Sequence, residues 1–157
     1  MMDNILIVFY IALGTLGFGL LFNIRGIKLI CGTLLGAVVQ IVFMVVSHFI
    51  ASSFLVYLLA ALTGAVISEV LAVALKCPAT VFRILSILPL VPGGGLYKTM
   101  SYALSKNYDM FSSEGLNTLK ISFALAFGIL IVTVIVKAYR HVKADILKRR
   151  KLKKVKV

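Results

Sequence analysis

The sequence predicts an all-α integral membrane protein with five transmembrane helices, the fourth of them broken, and three observations lead there. Of its 157 residues 61% are hydrophobic and 14% charged, whereas a soluble domain keeps about a quarter of its residues charged to coat its surface. The apolar residues form long runs separated by short polar segments. The charge is segregated as well: residues 137–157 hold ten Lys and Arg against one Asp, nine of the twelve net positive charges. A soluble enzyme is excluded on these grounds, and the basic excess belongs to one segment rather than to a globular nucleic-acid-binding face.

The first run, 5–22, has 18 residues and reaches about 27 Å as a helix, close to the roughly 30 Å of hydrocarbon in a bilayer. Met1-Met2-Asp3-Asn4 lacks the basic start of a secretory signal and no small-x-small cleavage pattern follows, so this helix is expected to stay uncleaved. A turn carrying Arg25 and Lys28 leads to the second run, 29–49, and the uncharged reversal 50–53 to the third, 54–75. Lys76-Cys77-Pro78 stops that run, because proline cannot continue the preceding helix without strain. The fourth run, 79–104, is interrupted from Pro89 to Gly95; the polar loop 105–115, with Lys106, Asp109 and Glu114, leads to the fifth, 116–136. The domain organisation is a transmembrane domain, 1–136, and a basic cytoplasmic tail, 137–157. Arg25 and Lys28, Lys76 and Arg83, and the tail fall in alternate loops, so the positive-inside rule places the N-terminus outside and the C-terminus inside.

With Arg83 taken as the inner boundary, Gly93 lies about 15 Å further along a helix, near the bilayer midplane. Two prolines withdraw N–H donors and three glycines expose backbone, and peptide groups unpaired in hydrocarbon cost several kcal/mol each. The break is therefore expected to line a cavity, with a helix restarting over 96–104 and pointing its free N–H groups at an anionic substrate. Pro89, Pro92, Gly93, Gly94, Gly95, Tyr97, Lys98 and Thr99 are the candidate substrate pathway. A kink that serves packing alone is the plainer reading of the same residues. The spacing of a phosphate-cradling loop is missing, so nucleotide binding is set aside.

Glu69 is the sole carboxylate inside a run. It has two readings: a site for a proton or coupling cation, or a partner of Lys76, seven residues on and on the same helix face, or of Arg83. Lys98 likewise serves either as a countercharge for substrate or as a snorkelling cation. Gly32 and Gly36, Ala60, Gly64 and Ser68, and Gly14, Gly17 and Gly19 are read as close-packing faces, and Gln40 as a mid-span amide in packing. Cys31, Cys77, His48 and His141 lack ligand or redox spacing, so no metal and no cofactor are expected. The tail should lie on the anionic inner leaflet, which explains its charge without RNA.

The stretch from Lys76-Cys77-Pro78-Ala79-Thr80-Val81-Phe82 through Ile87-Leu88-Pro89-Leu90-Val91-Pro92-Gly93-Gly94-Gly95-Leu96-Tyr97-Lys98-Thr99-Met100 resembles the signature of the threonine/serine exporter family. It is most similar to the small subunit of split, two-component members. Gly17-Phe18-Gly19-Leu20-Leu21-Phe22-Asn23, the second-run glycines and the number of spans are similar too. The resemblance implies half of a secondary exporter, with a larger partner supplying the other membrane half and a hydrophilic domain. It implies substrates such as threonine, serine or, for some split pairs, succinate. A single broken helix fits that reading, since transporters built from repeats pair two, the second coming from a partner or another copy of this chain. The alternative is a non-transporting scaffold for a larger partner. A channel lacks a charged ring and an enzyme lacks a nucleophile, base and orienting group.

Overall fold

Every apolar run is helical. The computed structural model describes residues 2–155, and the side chains of 5–143. Six α-helices follow one another: α1 (Met2–Leu21), α2 (Ile27–Phe49), α3 (Ser53–Ala74), α4 (Ala79–Ile87), α5 (Gly93–Leu104) and α6 (Tyr108–Val155). A 3-10 turn, Leu88–Leu90, separates α4 from α5. Among the described residues α2, α3 and the Tyr108–Lys143 part of α6 are long and apolar enough to cross a membrane. The pair Ala79–Leu90 and Gly93–Leu104, bent by 53°, makes a fourth, and α1 adds a shorter apolar helix, Ile5–Leu21.

The centre is built from small residues that let backbones approach, the packing mode available where lipid removes the hydrophobic drive between helices. α4 is inserted between α2 and α3, while α1 packs on α2 and α6 on α3. A side chain at Gly32 would strike Leu85 of α4, one at Gly36 would strike Thr15 of α1, and one at Gly64 would meet Val39 and Ser86. On α1 Gly19 is similarly closed by Leu29, but Gly14 and Gly17 face open space. Gln40 is buried, as expected of a packing residue.

Three helices end the same way, with a left-handed residue and a backward hydrogen bond that satisfies a final carbonyl. Asn23, Lys76 and Lys106 have φ of 57°, 47° and 56°; Ile24 N–H donates to Gly19 O, Cys77 N–H to Ala72 O and Asn107 N–H to Tyr102 O.

α6 buries Thr118, Ile121, Leu125, Gly128 and Val132, a stripe at three- and four-residue spacing. At Gly128 a Cβ would come within 2.8 Å of Ala61 Cβ and 3.1 Å of Leu58 O. Because a backbone atom cannot swing away, Gly128→Leu should separate α3 from α6 and destabilise the protein by about 1–3 kcal/mol or more. The unfolding midpoint in a denaturing-detergent titration measures this, and an unchanged midpoint would contradict the contact.

Two expectations need correction. The loop foreseen over 105–115 is nearly all helix: only Ser105, Lys106 and Asn107 separate α5 from α6. Asn107 Oδ1 accepts from Met110 N–H and Asp109 sits in the first turn, both favourable at a helix start. The helix after the break starts at Gly93 rather than residue 96, so the three glycines form its first turn. α6 continues through residue 136 without interruption to Val155; the side chains of 144–157, and with them most of the tail's expected membrane contact, lie outside the described residues. Ser86 is the residue held between Gly64 and Val39, the middles of α3 and α2. Gly95 stands against Thr118, about 15 Å along α6 from the Gly128 contact.

Candidate functional site

The break is made by the local sequence. Leu88–Leu90 tightens into a 3-10 turn with Pro89, Val91 is extended at φ −60° and ψ 125°, and Pro92 leads into α5 at φ −77° and ψ 57°. Val91 N–H bonds back to Leu88 O and Gly93 N–H to Val91 O. No side chain caps α5, so once Gly93 N–H has bonded to Val91 O and Leu96 N–H to Pro92 O the free donors of its first turn are the Gly94 and Gly95 N–H groups. A Cβ at Gly93 or Gly94 would meet nothing within 4 Å, whereas one at Gly95 would come within 2.5 Å of Thr118 Oγ1. The three glycines thus divide into two on an open face and one in a helix contact.

Of the other pathway candidates, Tyr97 and Lys98 are exposed. The Thr99 hydroxyl donates to Gly95 O, and its methyl faces Gly115. α5 has no buried residue and rests on α6. Pro89 and Pro92 are half-buried, and Leu90 between them enters the core with Ile121 and Leu125.

The second cluster lies toward the other end of the bundle. Glu69 on α3 is bonded to Arg83 on α4, and its second oxygen accepts from Arg140 on α6 at 2.8 Å. One carboxylate thus ties three helices. The Glu69 and Arg83 side chains are 13% and 15% exposed, that of Arg140 59%, so the first pair is shielded and the second is worth only about 0–1 kcal/mol. Beside it the Ser86 hydroxyl donates to Arg83 O, and the Ser68 hydroxyl donates to Gly64 O. Arg83 Nε is buried without an acceptor among the described residues.

Of the two ion-pair partners offered for Glu69, Arg83 is found and Lys76 is not. The seven-residue spacing assumes that α3 continues, but α3 stops at Ala74 and Lys76 turns away in the left-handed conformation. Drawn to Glu69, Arg83 sits about 9 Å inside the end of the third apolar run by helix rise. It is therefore an ion-pair partner of Glu69 rather than a marker of the end of the run. Arg140 was missed, although it continues the stripe Gly128, Val132, Val136 at four-residue steps. The glycine-rich start of α5 and the Glu69 cluster remain separate sites.

The described residues thus form a helical bundle with helices long and apolar enough to cross a membrane, one bent helix pair and an ion-pair cluster that joins three helices. The chain is a member of the threonine/serine exporter family: the family model described as Threonine/Serine exporter, ThrE, matches residues 7–135. The match runs from α1 to the end of the apolar part of α6, and it makes the chain a multi-pass cell-membrane protein of a transporter family. No curated protein and no solved structure matches the chain.

Proposed function

We propose that this protein is the membrane subunit of a secondary exporter for small carboxylate-bearing metabolites, threonine- and serine-type amino acids or a dicarboxylate such as succinate. It acts as half of a transporter beside a larger subunit that carries the other membrane half and a hydrophilic domain. In this reading the chain crosses five times, N-terminus outside and C-terminus inside, with α1 as the first span and α4 to α5 as the fourth. Pro89, Pro92, Gly93, Gly94, Gly95, Tyr97, Lys98 and Thr99 line the substrate path, and Glu69 carries the coupling ion.

The observation that carries the proposal is the open face at Gly93 and Gly94 where a bent span restarts without a cap. A helix start offers free N–H groups and the positive end of its dipole to a carboxylate. An open glycine face leaves room for the substrate or for the partner's matching element. Glu69 supports the coupling role because Arg140, its exposed partner, can leave at small cost while Arg83 stays.

The test is export by cells that express the larger subunit, with this chain deleted and restored. Cells are preloaded with threonine- and serine-containing peptides and with succinate. Retention of one metabolite on deletion, reversed by the wild-type chain, is the expected result. Equal efflux of all three with and without the chain would favour a scaffold.

A further inference from the structure

Where α3 ends, an open cleft of about 440 Å³ lies between Lys76, Cys77, Pro78, Ala79 and Arg140. Among the described residues two cations line it, and no acidic residue does. The nearby carboxylate of Glu69 is already shared by Arg83 and Arg140, so three cations face one anion. Acceptors are also short among the described residues: Arg83 Nε is buried without one, and Arg140 places one terminal nitrogen on Glu69, which leaves the rest of its fork of N–H donors.

Two helices independently give the depth of this cleft. Lys76 lies two residues past Ala74, the end of α3. Arg140 lies four residues past Val136, where the apolar run of α6 stops. Both cations therefore stand at the edge of the hydrocarbon, where phospholipid phosphates lie. Lys76 is turned toward the cleft by its left-handed backbone, φ 47°, rather than continuing the α3 face.

We propose that this cleft binds a phosphate group, delivered at that depth by the headgroup of an anionic phospholipid. An arginine fork matches phosphate oxygens, and a basic pocket between transmembrane helices is suited to anionic headgroups. A zwitterionic lipid brings an ammonium into the same cationic surroundings and binds more weakly. The site is independent of the export reading and of the side of the membrane on which it lies.

The test uses the full-length chain purified in detergent, with retained lipid counted by native mass spectrometry and melting temperature followed. Phosphatidylglycerol, phosphatidylcholine and inorganic phosphate are titrated separately. Lys76→Asn removes the charge but keeps a residue that tolerates the left-handed backbone. Lys106→Asn is its matched control, since Lys106 has the same backbone conformation after α5. Selective retention of phosphatidylglycerol is expected, weakened roughly fivefold by Lys76→Asn, the worth of one cation near an anionic surface, and unchanged by Lys106→Asn. Equal retention of both lipids, or equal weakening by the two variants, overturns the site. Protection by millimolar inorganic phosphate as strong as that by phosphatidylglycerol overturns the headgroup as its source.

Discussion

Gly94→Leu should cripple export and leave the helices assembled. A Cβ at Gly94 would meet nothing within 4 Å, so a side chain can leave the backbone there without a clash and folding and membrane insertion should match the wild type. Its side chain would nevertheless stand over the first turn of α5, where the proposed substrate carboxylate is held. Loss of a hydrogen-bonded charge at such a site costs about 1.5–3 kcal/mol, a fall in export of roughly tenfold to a hundredfold. Gly95→Leu is the contrasting change, because the space beyond Gly95 is filled by Thr118; it should undock α5 from α6 and lower protein yield. Export rate normalised to the amount of protein in the membrane separates the two. Normal export by a fully inserted Gly94→Leu protein would remove the open face from the transport path.

Glu69→Leu should be the most destabilising single change in the bundle. It leaves the shielded Arg83 without its anion, and a buried pair that loses one member costs about 3–5 kcal/mol. Removing both charges is far milder, so Glu69→Leu with Arg83→Leu should recover most of the lost stability. Arg140→Leu alone should cost little, since Arg140 is 59% exposed. If Glu69 carries the coupling ion, the double variant should fold yet no longer export against a concentration gradient. The readouts are the denaturing-detergent midpoint and uphill export. A double variant no more stable than Glu69→Leu would argue against the pair, and uphill export by the double variant against the coupling role.

The apolar runs made α1 to α4 legible to within a few residues, because a span needs uninterrupted apolar length and the turns at Asn23, Ser52 and Pro78 interrupt it. The packing glycines of α2 and α3 were legible for the same reason, being small residues at helical spacing in an otherwise bulky run. Two things were not. Glu69 could be ranked against Lys76 and Arg83 only by register along one helix, and register fails where a left-handed residue ends the helix. Arg140 joins Glu69 across 71 positions, and such a pairing follows only from which face of α6 meets α3. The start of α6 was present in the sequence at Asn107 and Asp109, but polar composition alone read those residues as loop. Lys120, inside the nominal fifth run, marks the same shift, since it moves the uncharged stretch of α6 inward.

The length of α6 gives the Gly128 contact a mechanical meaning. Gly128 is the point where α6 lies hard against the α3 backbone, with Thr118 about 15 Å to one side and Arg140 about 18 Å to the other along a straight helix. α6 is then a lever with its fulcrum near the bundle centre. One arm carries the start of α5 and the other carries Arg140 on Glu69. By that geometry a rocking motion of about 5° moves the two ends by roughly 1.3 and 1.6 Å in opposite senses. A tilt of that size would lengthen the Arg140–Glu69 contact and shift Thr118 against Gly95 together, because both residues stand on the one helix.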